Sequence, residues 1–89
     1  MEGFSAGWLS LREPADHAAR SRPLTSEAIE ALPVGGALRI LDLAAGTGSN
    51  FRYLTAAGLG ETGRAEFLLV DHDPALLATV ATTSNVATR

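Results

Sequence analysis

The sequence contains no cysteine and no lysine. Without cysteine, disulfides and thiolate metal sites are excluded. All seven basic residues are arginine, a bias typical of GC-rich bacterial genomes that carries no information about mechanism. No apolar run reaches the roughly 18 residues of a membrane span. The first residues also lack the basic start and long apolar stretch of a signal peptide, so we expect a cytoplasmic protein without a membrane partner.

An excess of basic charge is also absent, since the net charge is −3. This balance argues against a nucleic-acid partner bound through a basic surface. The two histidines, His17 and His72, stand far apart without metal-ligand spacing, so no metal site is predicted. The length of 89 residues leaves room for about two βαβ units, because each one needs about 30 residues.

Residues 1–37 form a first segment that is rich in helix formers. Pro14 suits the first position of a helix, where its missing N–H costs nothing, and we predict a helix over about 14–22. Pro23 is expected to end or kink that helix. A second helix is predicted over about 25–32, before the turn residues that precede Leu38.

Residues 38–89 alternate between apolar strands and helices. The predicted elements are a strand over 38–43, a helix from Phe51 that stops at Gly58, a strand over 66–71, a helix from Pro74 capped by Asp73, and an incipient strand over 86–89. Strands that alternate with helices predict a parallel sheet with right-handed crossovers. The expected fold is α/β, a Rossmann-like three-layer sandwich with a parallel sheet, truncated after about two strands and preceded by the N-terminal helices.

The strongest functional signal is the segment DLAAGTG, Asp42 to Gly48, between a predicted strand and a predicted helix. Gly46 and Gly48 allow a sharp turn and a close approach of a ligand to the main chain. The third glycine of a dinucleotide-binding fingerprint is replaced by Phe51, and no Gly-Lys-Ser/Thr follows for a phosphate loop. Asp42 would repel a pyrophosphate and attract a ligand that carries an ammonium and a sulfonium.

The second signal is VDHDP, in which Asp71 ends the second predicted strand. Asp71 lies 23 residues after Gly48, close to the spacing of about 20 residues for an acid that binds ribose hydroxyls. We therefore predict a ribose-binding acid at this position.

The segments LDLAAGTGSNFRYL and LLVDHDPALL resemble the first two motifs of class I S-adenosylmethionine-dependent methyltransferases. In that family the first motif reads acid-x-G-x-G-x-G, and Ala44 stands here at the first of those glycines. The resemblance implies that Asp42 lies near the methionine amino group of S-adenosylmethionine. Ala44, Gly46 and Gly48 would present their backbone to the methionine portion.

The resemblance also implies that Asp71 holds the ribose and that His72 lies beside the adenine. The upstream segment WLSLREPADHAARSRPL is similar to N-terminal helices that cover the cofactor or substrate pocket in a bacterial subset of the family. It makes Arg12 and Arg20 candidates to meet the cofactor carboxylate or the substrate.

The implied function is methyl transfer to an acceptor that the sequence does not name. The resemblance covers only about the first half of a family domain, so no general base is assigned. We expect the isolated chain to be catalytically weak or inactive. Two rival hypotheses remain: an NAD-dependent oxidoreductase fragment, and a non-catalytic truncated product that self-associates through an open sheet edge.

Overall fold

The computed structural model describes residues 4–59 and 63–89, which form helices and one parallel sheet. The elements are α1 (Ala6–Ala18), α2 (Arg22–Glu30), β1 (Leu38–Leu43), α3 (Ser49–Ala56), β2 (Ala65–Val70), α4 (Pro74–Leu77) and β3 (Val86–Thr88). The strand order within the sheet is β1-β2-β3, and both strand pairs are parallel. The predicted α/β, Rossmann-like architecture is confirmed.

The register between β1 and β2 aligns the carboxyl ends of the two strands. Leu38 pairs with Ala65 at one end, and Leu43 pairs with Val70 at the other. The segment that follows β1 and the segment that follows β2 therefore begin side by side at one edge of the sheet. In open parallel sheets this edge is where ligands bind.

The core lies on one face of the sheet, where alternate strand residues meet the helices. The strands contribute Leu38, Ile40, Ala65, Phe67, Leu69 and Val86, and the helices and their flanks contribute Ile29, Leu32, Phe51, Leu54, Leu77 and Val80. On the opposite face the side chains of Leu41 and Leu43 are 60% and 68% exposed. The described residues thus form two layers, and they do not include the second helical layer of a three-layer sandwich.

The N-terminal helices differ from the prediction because serine caps determine where they begin. Ser5 accepts a hydrogen bond from the backbone N–H of Trp8, so α1 begins well before Pro14 and continues through it. Ser21 caps α2 in the same way, with Pro23 inside its first turn. The predicted helix start at Pro14 and the predicted break at Pro23 are therefore wrong.

The elements after Leu38 follow the prediction closely. β1 spans the predicted residues, and β2 begins one residue earlier than predicted. Asp73 caps α4 by accepting from the N–H of Ala75, with Pro74 as the first helical residue. The incipient third strand forms as β3, three residues long. Across the residues that the structure describes, no helix is both long and apolar enough to cross a bilayer.

Candidate functional site

The loop between β1 and α3 is built on three residues in the left-handed backbone region. Their φ angles are 56° at Ala44, 58° at Gly46 and 88° at Gly48. The N–H of Ala45 donates to the carbonyl of Val70 across 2.9 Å, and the N–H of Gly48 donates to the carbonyl of Ala45 across 2.9 Å. These bonds fasten the loop to β2 and close its turn. Ala44 is the only non-glycine residue with a positive φ among the described residues.

Asp71 joins this loop to the segment that follows β2. Its Oδ2 accepts from the N–H of Gly46 and its Oδ1 from the N–H of Asp73, both across 2.8 Å. The side chain is only 7% exposed. The hydrogen bonds from the backbone of Asp73 and of Gly46 lower the pKa of Asp71 below its usual range. Asp71 is thus an ionised crosslink whose two oxygens keep lone pairs for further donors.

A cleft of about 410 Å³ opens beside these two segments, beneath the start of α1. It is lined by Phe4, Leu9, Asp16, Ala44, Ala45, Gly46, Thr47, Ser49, Asp71, His72, Asp73 and Leu76. Its volume falls in the range of about 300–1,000 Å³ that is typical of small-molecule sites. Phe4, Leu9 and Leu76 give it apolar walls, while carboxylates line its floor and rim.

His72 lies at the open side of this cleft. Its side chain is 93% exposed, and its Nδ1 lies 3.4 Å from Oδ1 of Asp71. An exposed imidazole at a cleft rim offers a flat surface against which a planar ring can pack. The predicted neighbours Ala44, Gly46, Asp71 and His72 are therefore brought together.

A second group of polar residues lies at the carboxyl end of β1 and the start of α3. Asp42 points toward Asn50, and Nη1 of Arg20 donates to Oδ1 of Asn50 across 2.6 Å. The guanidinium of Arg20 also lies over the ring of Tyr53, 3.9 Å from its centre. Arg20 is thereby held near Asp42, although neither residue lines the cleft.

One carboxylate oxygen of Asp42 has no partner in this group. Its Oδ2 is buried and has no hydrogen-bond partner among the described residues. Burial raises the pKa of Asp42, and this effect is only partly opposed by a hydrogen bond with Asn50 and by the charge of Arg20. Such an oxygen in a native structure requires an explanation, and a bound cation would provide one.

Gly48 and Arg12 are two further candidates that do not line the cleft. Gly48 is buried, and a Cβ atom there would come within 3.2 Å of Cγ2 of Val80. Its N–H is used inside the loop, so in this conformation Gly48 shapes the turn and does not line the cleft. Arg12 pairs with Asp16 across 2.9 Å on the exposed side of α1.

Sequence reasoning missed the contacts that fasten α1 to the glycine loop. Arg52 of α3 forms two hydrogen bonds with the carboxylate of Glu13, of 2.6 and 2.8 Å, and its Nη1 donates to the carbonyl of Thr47 across 2.7 Å. The hydrogen bond from Arg52 lowers the pKa of Glu13. His17 Nε2 lies 2.9 Å from Oγ of Ser49. The members of these two pairs are separated by 39 and 32 positions in the sequence, so no local pattern indicates that they pair.

Within residues 4–59 and 63–89, no group of three or more histidine, aspartate or glutamate side chains is arranged to hold a metal ion. Comparisons with protein-family models, with curated proteins and with solved structures found no match to this chain.

Proposed function

We propose that this chain is the cofactor-binding portion of a class I S-adenosylmethionine-dependent methyltransferase. The cleft would take the adenosine part of the cofactor, and Asp42 with Arg20 would take its amino-acid part. The observation that carries the proposal is the buried, partnerless carboxylate oxygen of Asp42 next to a left-handed glycine loop. The described residues do not identify the methyl acceptor.

The charge of Asp42 selects among the ligands that suit a glycine loop. A carboxylate oxygen is costly to bury without a hydrogen-bond partner, and acids with a perturbed pKa are concentrated at functional sites. A ligand that places an ammonium or sulfonium group near Asp42 would stabilise the charge of its carboxylate, whereas a pyrophosphate would be repelled by it. This preference favours S-adenosylmethionine over NAD.

Arg20 supplies the complementary charge for the carboxylate of an amino acid. Its planar guanidinium has five N–H donors, of which the structure commits one to Asn50. Its stacking on Tyr53 restrains the side chain, so less conformational entropy would be lost when a carboxylate binds. An acid and an arginine side by side would bind the ammonium and the carboxylate of a zwitterionic amino acid.

The cleft suits an adenosine group. The free lone pairs of Asp71 could accept from ribose hydroxyls, and His72 with the apolar walls could pack against the adenine. Phe51 contributes a further argument against the NAD alternative. Its ring packs edge-to-face on Phe67, with 4.7 Å between ring centres, where a dinucleotide-binding fold needs a glycine for close helix–strand packing.

In the whole enzyme, the bound cofactor would supply the methyl group on its sulfonium. The residues of this chain would bind and orient the cofactor, and catalysis of this type depends mainly on alignment. No described residue is assigned as a general base, so we expect cofactor binding without turnover. The proposal includes a cytoplasmic location. A non-catalytic, self-associating product remains the second candidate, because β1 pairs only with β2 among the described strands.

Calorimetric titration of the purified chain with S-adenosylmethionine tests the proposal, with NAD as competitor. We expect saturable binding that excess NAD does not displace, and at least a tenfold loss of affinity in Asp42→Asn. Glu30→Gln, an exposed acid at the end of α2, is the matched control and should bind as the wild type does. Equal affinity in Asp42→Asn and Glu30→Gln, or displacement by NAD, would contradict the proposal.

A further inference from the structure

The ring of Tyr53 is a fixed platform where α1, α2 and α3 meet. Its residue is only 2% exposed, and its hydroxyl lies 2.7 Å from Oγ1 of Thr25 in α2. Because the hydroxyl of Thr25 donates to the carbonyl of Ser21, Tyr53 is the donor in its bond with Thr25. The ring also packs edge-to-face on His17 of α1, with 5.3 Å between ring centres. Contacts with both N-terminal helices thus fix the position of the ring.

Two arginines lie against this ring. The guanidinium of Arg20 is 3.9 Å from the centre of the Tyr53 ring, and that of Arg22 is 5.3 Å from it. Both arginines are exposed to solvent. A guanidinium that is held by a cation–π contact loses less conformational entropy when it binds a ligand. The two side chains are therefore partly preorganised for binding.

The positive charge of these two arginines is not balanced by acids. Among the described residues, neither Arg20 nor Arg22 forms an ion pair. Arg20 donates to the neutral amide of Asn50 and interacts with the charge of Asp42, whereas the ring of Tyr53 is the only described contact of the Arg22 guanidinium. Two cations near one carboxylate leave an excess of positive charge in a chain whose net charge is −3. An anion bound there would offset their mutual repulsion.

The surroundings of Arg22 favour an anion further. Arg22 is the first residue of α2, and the N–H groups at the start of a helix add partial positive charge. The cleft has the opposite character, because Asp16, Asp71 and Asp73 line it. A simple anion is therefore repelled from the cleft and attracted to the two arginines.

We propose that Arg22 binds an anionic group of the methyl acceptor, a carboxylate or a phosphate. This assignment rests on the proposed function, in which Arg20 takes the carboxylate of the cofactor. Arg22 lies against the same ring as Arg20, so it can hold a second anion beside the bound cofactor. A planar guanidinium binds either group through two parallel hydrogen bonds. The acceptor is then an organic acid or a phosphate ester.

Titration of the ¹⁵N-labelled chain with succinate, and separately with inorganic phosphate, tests the proposal at constant ionic strength. The side-chain Nε–H signal of Arg22 should shift saturably with at least one of the two anions, both without and with saturating S-adenosylmethionine. Succinamide, the neutral analogue of succinate, should cause no shift. Tighter binding of succinate indicates a carboxylate on the acceptor, and tighter binding of phosphate indicates a phosphate ester.

Three substitutions of arginine by glutamine separate this site from general attraction of anions. Arg22→Gln should weaken anion binding by about threefold or more and leave the affinity for S-adenosylmethionine unchanged. Arg12 also lies over a ring, that of Trp8, but it is paired with Asp16. Arg39 is exposed and has neither an ion pair nor a ring contact among the described residues. Arg12→Gln and Arg39→Gln should therefore bind anions as the wild type does.

The outcomes distinguish failure of this inference from failure of the proposed function. Equal anion affinity in Arg22→Gln and in the two controls would overturn the inference, and so would displacement of the anion by S-adenosylmethionine. A chain that binds S-adenosylmethionine but neither anion would overturn the inference alone. A folded chain that binds an anion at Arg22 but does not bind S-adenosylmethionine would overturn the proposed function, and the assignment to a methyl acceptor with it.

Discussion

Ala44 holds a backbone conformation that an L-residue adopts at a cost. Its φ of 56° lies in the left-handed region, where a side chain costs roughly 1–2 kcal/mol. Ala44→Gly removes that strain, although glycine loses about 0.5–1 kcal/mol more conformational entropy on folding. We predict that Ala44→Gly raises the free energy of unfolding by up to about 1 kcal/mol, measured by urea denaturation.

Gly48→Ala provides the matched comparison within the same loop. It adds a Cβ atom to a residue with a φ of 88°, within 3.2 Å of Val80 and 3.4 Å of Nη1 of Arg52. We expect it to lower the free energy of unfolding by about 1–3 kcal/mol, from backbone strain and crowding together. A stabilising Gly48→Ala, or a strongly destabilising Ala44→Gly, would show that the loop has another conformation.

Asp42 gives a prediction about pH. Because its pKa is raised in the folded state, the folded chain binds more protons at this group than the unfolded chain does. Its contribution to stability therefore falls as pH rises from the unfolded value of about 3.9 through the folded pKa. Asp42→Asn should be more stable than the wild type at pH 7, and this gain should vanish below about pH 3.9.

The same substitution should weaken S-adenosylmethionine binding, so stability and affinity change in opposite directions. Chemical denaturation at several pH values and titration at pH 7 measure the two effects. A gain in stability that persists below pH 3 would mean that the charge of Asp42 is not its cause.

At the scale of elements, Asp71 connects the segment after β1 to the segment after β2. Its pKa is lowered in the folded state, so its stabilising contribution is present above the unfolded pKa and is lost as pH falls through the folded one. In Asp71→Asn the side-chain NH₂ group faces one of the two backbone N–H donors, so that hydrogen bond is lost. We predict a loss of about 1–3 kcal/mol at pH 7 that diminishes as the pH falls through the folded pKa of Asp71.

Asp73→Asn is the control for Asp71→Asn, because asparagine also caps helices well. It should change the free energy of unfolding by less than about 0.5 kcal/mol. Equal losses in Asp71→Asn and Asp73→Asn at pH 7 would contradict the crosslinking role of Asp71.

The clamp between Glu13 and Arg52 fastens α1 over the cleft. The pair is partly exposed, with side chains 18% and 44% accessible, so Glu13→Gln should cost at most about 1 kcal/mol of global stability. The larger effect should be local, as faster amide hydrogen exchange in α1. Asp16→Asn breaks the exposed pair with Arg12 and is the control. Equal exchange rates in the two variants would mean that Glu13 does not hold α1.

The elements that could be predicted from the sequence are those with local determinants. β1, the turn at Gly46 and Gly48, and the cap at Asp73 each follow from residues adjacent in the chain. In the N-terminal segment the prediction placed the helix boundaries at the prolines, whereas the serine caps determine where the helices begin. The clamp at Arg52 and the unsatisfied state of Asp42 depend on contacts between distant segments, so a single sequence could not reveal them.

At the scale of the whole molecule, the candidate functional residues gather at one edge of the sheet. The edge formed by the carboxyl ends of the strands carries the glycine loop, the cleft and the pair Asp42 and Arg20. Arg39 and Glu66 are exposed and lie near the opposite ends of β1 and β2, so substitutions there should leave the affinity for S-adenosylmethionine unchanged. Their cofactor affinity, measured by titration of dilute protein, should equal that of the wild type.

The most direct test of the central claim is a titration of ¹⁵N-labelled protein with S-adenosylmethionine, followed by amide chemical shifts. The account predicts that the amides of Gly46, Asp71 and His72 and those of Asn50 and Arg20 shift together and yield one dissociation constant. Shifts confined to residues at the other end of the strands, such as Arg39 and Glu66, or no shifts in a chain whose spectrum is that of a folded protein, would contradict it.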